Sequence, residues 1–260
     1  MSLKFEFSEI WGKRLLLWNF AITDLKIKYK NSVLGFFWSF LEPLLLLVIL
    51  YLVFTNVFSF EVENYALYLL GNLILWNFFT RATNFGMTSM LSRAGILSKI
   101  YFPREIVVLS SVLTSLLMLG LELIAFGIFI VAFQFIPPIT ILFMPIPIII
   151  LFILVLGISF LFSVINIFFR DLQSIWAIVI QAGFFLTPII YKMEVLPKML
   201  QDILYYSPLV QIFEMFHNSI LYNKLPSEFE IIYTSCISIM ILLIGYFIFR
   251  KLQARSIEEL

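Results

Sequence analysis

The sequence predicts an all-α integral membrane protein with six transmembrane helices, and three observations carry that expectation. Hydrophobic residues make up 62% of the 260 positions, against roughly 45–50% in a soluble domain. Charged residues make up 13%, about half the usual share. Six apolar runs, 36–58, 65–88, 106–133, 145–168, 173–190 and 231–249, each approach the roughly 20 residues needed to cross about 30 Å of hydrocarbon. A soluble globule of this length cannot hide so much apolar surface. A disordered chain is poor in apolar residues, and a transmembrane barrel alternates over ten-residue segments, which no part of this chain does. A net charge of +1 gives no reason to expect nucleic acid. A single cysteine, Cys236, excludes an intrachain disulfide and a Cys-based metal cluster.

Residues 1–34 form the first predicted unit. Trp11, Leu15, Trp18 and Ile22 recur at helical spacing beside Lys13, Arg14, Lys26 and Lys28. That pattern suits either an amphipathic helix in the cytoplasmic interface, basic side toward anionic headgroups, or a generic anchoring segment. No short apolar run with a small-residue cleavage site occurs in the first 30 residues, so a signal peptide is not expected.

The six-helix transmembrane unit follows over 35–250, with 251–260 as a cytoplasmic tail. Gly35 permits a bend where the chain enters span one, Trp38 suits the headgroup level, and Pro43 is expected to kink or loosen the helix. Glu42 is unusual, because an ionisable group inside a span is costly. Arg81 in span two and Glu122 in span three are the other intramembrane charges. At about 1.5 Å per residue, Glu42 and Arg81 reach similar depths, which predicts an ion pair between them. The alternative has Arg81 snorkelling to the interface with Glu42 protonated or wetted.

The loop at 92–105 carries Ile96, Leu97, Ile100, Tyr101 and Phe102 among Arg93, Lys99 and Arg104. It reads as a short amphipathic helix stopped by Pro103, lying on the membrane or docking into a partner's apolar groove. Span three exceeds what a bilayer needs and is expected to tilt or project. Arg170 and Asp171 form a tight turn between spans four and five, where adjacent opposite charges suit water. Pro188 is expected to interrupt span five near its outer end, with Thr187 satisfying a freed carbonyl.

Two helix-like patterns occupy the long stretch 192–230: Met199–Tyr206 after Pro197, and Leu209–Leu221 after Ser207-Pro208, where serine caps and proline suits the first turn. Ile212, Phe213, Phe216 and Ile220 share one stripe. The pair is either a lid over a pore or a packed surface cap. His217, the sole histidine, reads as a hydrogen-bonded structural residue, and no Ser-His-Asp triad can form around it within one chain.

Basic residues set the orientation. Thirteen Lys and Arg fall on the side of the termini and three (Lys192, Lys198, Lys224) on the other. The positive-inside rule therefore puts both termini in the cytoplasm. The sequence carries no P-loop, nucleotide-binding glycine signature or metal-ligand cluster, and no inverted repeat of the secondary-transporter kind. A transporter of this build needs an energy source on another chain.

Taken in order, these segments resemble the permease subunit of type-two ABC exporters, in the branch that exports polysaccharides. The matching residues are Tyr29, Ser32, Leu34, Gly35, Trp38 and Pro43 before and within span one, then Tyr101-Phe102-Pro103-Arg104-Glu105 and Phe169-Arg170-Asp171-Leu172. Leu186-Thr187-Pro188-Ile189-Ile190-Tyr191 and Ser207-Pro208-Leu209 complete the set. The resemblance spans 25–250. Two departures stand out: the family commonly has Asn-Pro at Ser207-Pro208 and arginine at His217, so a permanent cation is missing at 217.

The resemblance implies a homodimer with the conduit between its two copies, in the inner (plasma) membrane. It also implies a cytoplasmic ABC ATPase dimer as partner, which carries the ATP and Mg; no cofactor is expected on this chain. Residues 92–105, including Tyr101 to Glu105, resemble the coupling helix that meets that ATPase. Residues 197–222, with Pro197, Pro208 and His217, resemble extracytoplasmic gate helices. Substrates of the branch are lipid-linked O-antigen, teichoic acid or capsular glycans. Trp38, Trp76, Phe184, Phe185 and Tyr191 are the candidate glycan path, although lipid-facing aromatics are ordinary in a membrane protein. Two rivals remain: a type-two permease for drugs or other small amphiphiles, and a membrane-embedded acyl- or glycosyltransferase. The latter needs an acid/base cluster, and His217 stands without one.

Overall fold

The computed structural model describes residues 11–30, 32–56, 64–97, 99–100 and 102–258. Among these residues the secondary structure is helical, with no strand. The helices are α1 Arg14–Tyr29, α2 Trp38–Asn56, α3 Tyr65–Ser92, α4 Ala94–Leu97, α5 Glu105–Ala132, α6 Pro145–Phe168, α7 Leu172–Leu186, α8 Lys198–Tyr205, α9 Pro208–Leu221 and α10 Glu228–Glu258. The stretches Glu105–Ala132, Ile139–Phe168 and Glu228–Arg255 are long and apolar enough to cross a membrane, while Phe40–Thr55 and Leu172–Leu186 are shorter apolar helices.

α3 is the centre of the molecule. It is buried along most of its length, from Tyr65 to Met90, between α5 and α6. Its low apolarity is therefore compatible with the bilayer, because Asn72 and Thr83 face protein. α10 lies against α6 through a close backbone approach. A Cβ on Gly245 would sit 2.2 Å from the Gly157 carbonyl oxygen, and one on Gly157 would sit 2.6 Å from the Leu242 nitrogen. Small residues at a helix crossing are how membrane helices gain van der Waals contact without a hydrophobic drive. Gly86 of α3 meets Ser159 of α6 in the same way.

The approach to α2 bends at Gly35, whose φ is +50°, a left-handed conformation that glycine adopts at little steric cost. A single 3-10 turn, Gly35–Phe37, leads into α2. Pro43 does not break that helix; it sits close to the N-terminus, where only the bond to the carbonyl of residue 39 is forfeited.

α7 stops at Leu186, short of the expected 190. Thr187 is extended and Pro188 follows, a residue pair that α-helix geometry disfavours. No residue of α7 is buried. It is held at Trp176, whose indole N–H donates to Thr83 Oγ1 at 3.1 Å, and at Gln173, which donates to Asn166 Oδ1 at 3.2 Å.

Candidate functional site

The first candidate region is the C-terminal end of α3. α4 covers only Ala94–Leu97, so the expected helix running to Pro103 is not formed. Tertiary contacts on both sides explain this. Arg93 is buried and forms an ion pair with Asp24 of α1, while its guanidinium donates to Ser110 Oγ of α5 at 2.9 Å. The same guanidinium lies 4.5 Å from the Phe20 ring centroid. Phe102 is buried edge-on to Phe20 at 5.9 Å. Glu105 is buried and pairs with Arg250 of α10 at 2.9 Å, and Arg104 donates to the Gln253 carbonyl.

Of the motif expected to meet the ATPase, Phe102 and Glu105 turn inward, Pro103 and Arg104 are half-buried, and Tyr101 lies outside the described residues. Among the described residues of 92–105, Ser92, Gly95, Ile96, Lys99 and Ile100 are exposed. The pairing of Arg93 is not anticipated from the loop's basic pattern; its signal in the sequence is Asp24, an acid among the basic residues of α1. Nearby, Arg170 and Asp171 are exposed, which suits their reading as a water-facing turn.

The second region is the charge buried between α3 and α5. Arg81 does not pair with Glu42. Its two terminal nitrogens donate to the two carboxylate oxygens of Glu122 on α5, at 2.7 and 3.1 Å. Equal depth on two helices does not make two side chains meet; they must also share a face, and α5 packs along α3 on the face that bears Arg81. Lys28 of α1 lies close by, its ammonium 3.8 Å from Met118 Sδ and 5.8 Å from the Phe85 centroid. Burial lowers its pKa, Arg81 lowers it further, and Glu42 and Glu122 oppose.

The third region is the irregular segment after α7. Thr187 to Ile190 are buried, so their carbonyls need partners other than water. Side chains of α3 supply them: the Tyr65 hydroxyl donates to Ile190 O at 2.9 Å, and Asn72 to Ile189 O at 3.3 Å. The Tyr68 hydroxyl is shared between Pro188 O and Tyr191 O, at 3.0 and 2.9 Å. These groups, rather than Thr187, satisfy the break. Tyr191 closes it by donating to Phe185 O at 2.6 Å.

Four of the five candidate path aromatics gather here. Trp76 is buried among Phe79, Phe184 and Phe213, with centroids 5.5, 5.8 and 6.4 Å away. Phe184 contacts Phe185 at 5.4 Å, and Phe185 is exposed. Trp38 is exposed at the opposite end of α2 from Tyr51, which stacks on Tyr65. Of the residues matched before span one, Tyr29 is buried, and Ser32 Oγ accepts from the Gly35 N–H at 3.2 Å.

The fourth region holds α8 and α9. α8, which follows Pro197, buries nothing and exposes Met199 and Ile203. α9 starts at Pro208 and buries Ile212, Phe213, Phe216 and Ile220, the expected stripe. Ser207 occupies the cap position, but its side chain makes no capping hydrogen bond. His217 is buried with its ring 4.7 Å from that of Tyr68. Burial, reinforced by Lys192 and Lys224, pushes its pKa down to about 3, so it is neutral at physiological pH. Its Nδ1 has no hydrogen-bond partner among the described residues. Glu214 on the same helix is pushed up to about 7 by burial, then by Glu230 and Glu194.

Comparison with known proteins matches residues 16–221 to the family described as ABC-2 type transporter. The chain is 34% identical to the O-antigen export system permease protein RfbA of Klebsiella pneumoniae, with all of both chains covered. A second Klebsiella pneumoniae protein of that name is 32% identical over 91% of this chain and 92% of its own. The Myxococcus xanthus protein of the same name is 26% identical over 97% and 98%.

Proposed function

The chain belongs to the ABC-2 type transporter family, and from that premise we propose that it is the transmembrane subunit of an ATP-driven exporter of O-antigen. The single observation that carries the substrate is the end-to-end similarity to permeases named for O-antigen export. The geometry supports the same reading. A cytoplasmic platform exposing Ile96, Lys99 and Ile100 is tied by Arg93, Phe102 and Glu105 to α1, α5 and α10. A push on it therefore reaches the helices at several points.

In this reading the chain crosses the inner membrane six times with both termini in the cytoplasm, and α1 lies in the interface. The basic residues around α1, α4 and the end of α10 support that orientation. Two copies form a homodimer around the conduit. The absence of any buried residue on α7, beside the cluster of Trp76, Phe184 and Phe185, supports a wall that a second copy completes. ATP binds and is hydrolysed on a separate ABC ATPase dimer, whose motion enters through Gly95 to Ile100. The lipid-linked glycan enters near Trp38 and leaves past α8 and α9.

Co-expression with the host's ABC ATPases tests the assembly. One ATPase is expected to co-purify with the chain and to hydrolyse ATP. Purification of the chain alone from every such pairing would contradict it.

A further inference from the structure

A cavity of about 390 Å³ opens on the extracytoplasmic side, between α9, the outer end of α3 and the turn that follows Tyr191. Its size falls in the roughly 300–1,000 Å³ range of small-molecule sites. Tyr68, Lys192, Glu194, Glu214, His217 and Asn218 are among its lining residues. We propose that this cavity binds a neutral sugar unit of the exported glycan as it leaves the conduit; the proposal rests on the reading of the chain as a glycan-exporter subunit.

Three features select that ligand chemistry. The lining mixes charges of both signs with neutral polar groups, Lys192 and Lys224 against Glu194. Glu214 is pushed up to about 7 and so is half protonated near neutral pH, and neither an anion nor a cation meets a uniform field. A polyhydroxylated ring, by contrast, finds acceptors on the glutamates, donors on the lysines, and both on the Asn218 amide. Next, buried His217 lines the cavity, and its Nδ1 has no hydrogen-bond partner among the described residues, where a buried polar atom normally has one. The neutral ring adds a flat wall to the cavity without fixed charge. Finally, the cavity lies directly after the aromatic segment. Lys192 and Glu194 follow Tyr191, whose hydroxyl is bonded to Phe185 O, and His217 lies one turn of α9 from Phe213, which contacts Trp76, so the cavity adjoins the aromatic cluster.

The test uses the full-length chain with its ATPase in lipid nanodiscs, titrated calorimetrically with polysaccharide released by mild acid from the host's own lipopolysaccharide. Inorganic phosphate serves as the comparison ligand. The expected result is saturable binding of the polysaccharide that falls at least tenfold in His217→Phe, which keeps a ring against Tyr68, and in Asn218→Leu. Asn218 is half-buried, so that variant carries the test if His217→Phe does not fold.

Unchanged affinity in Asn218→Leu, no saturable binding by the wild type, or preferential binding of phosphate each overturns the assignment. Surface O-antigen in the same strains separates the two readings. If the wild-type gene restores it to a deletion strain while the variants bind polysaccharide as tightly as the wild type, only the cavity assignment falls. If the wild-type gene does not restore it, the exporter reading falls and the cavity assignment with it.

Discussion

Arg81 of α3 and Glu122 of α5 meet in a two-pronged ion pair, 2.7 and 3.1 Å between heavy atoms, with the Glu122 side chain almost wholly buried. A charge left alone in such surroundings is strongly unfavourable, and breaking a buried pair by removing one partner costs about 3–5 kcal/mol. Glu122→Gln and Arg81→Met are therefore each expected to lower the melting temperature in detergent sharply. The charge swap Arg81→Glu with Glu122→Arg should recover part of the loss, whereas Arg81→Glu with Glu42→Arg should recover none. Rescue by the Glu42 combination would show that the wrong partner has been assigned.

The platform at α4 separates two kinds of residue. Ile96 and Ile100 are exposed, while Phe102 is buried against Phe20. Replacing Ile96 and Ile100 together by aspartate should abolish co-purification of the ATPase and leave the melting temperature within a few degrees of wild type. Phe102→Ala should lower stability by about 3–5 kcal/mol, the usual penalty for emptying a buried phenylalanine site. A stable Phe102→Ala protein that loses only its ATPase would contradict this division.

The carbonyls exposed by the end of α7 depend on hydroxyls from α3. Tyr68→Phe keeps the ring beside His217 and removes the donor shared by Pro188 O and Tyr191 O. Leaving a buried acceptor unsatisfied costs about 1–3 kcal/mol, and local opening should show as faster amide exchange across 187–191. Protection equal to wild type would mean that the hydroxyl is not what holds this segment.

Gly245 lies against the Gly157 carbonyl oxygen, with no room for even a methyl group. Gly245→Ala is expected to force α6 and α10 apart and to destabilise by about 1–3 kcal/mol, as overpacking does. Gly127, which has open space around its Cβ position, should accept alanine without such a loss. Equal melting temperatures for the two variants would rule out a tight crossing.

Glu214 carries the clearest dependence on pH. Its carboxyl is pushed up to about 7 in the folded chain, from an ordinary value of 4.5. The folded state then holds its proton more tightly than the unfolded one, so its contribution to stability is greatest below about 4.5 and is lost as pH rises through 7. Glu214→Gln should flatten the fall in melting temperature over that window. A wild-type melting temperature that rises from pH 4.5 to 7, and is unaltered in shape by the variant, would contradict the buried environment.

Helix positions were largely legible in the sequence, because apolar length and proline placement are local properties. Gly35 shows why: a bend there requires only a residue that tolerates positive φ. The partners of Arg81 and of the Pro188 break were not legible. Both depend on which faces of distant helices meet, and neither Glu122 nor Tyr68 carries a local signal of that contact. The shortened α4 has the same origin: hydrophobic residues at 96–102 suggested one amphipathic helix, but Arg93 and Phe102 are drawn into α1 and α5. His217 is a further case, since a lone histidine says nothing of the cavity beside it.

Deleting the gene and resolving the host's lipopolysaccharide by gel tests most directly whether this chain is the transmembrane subunit of an O-antigen exporter. Loss of the surface O-antigen ladder and accumulation of lipid-linked glycan inside the cell are expected, with restoration by the wild-type chain but not by the Ile96 and Ile100 double aspartate variant. An unchanged surface ladder in the deletion strain would contradict that assignment.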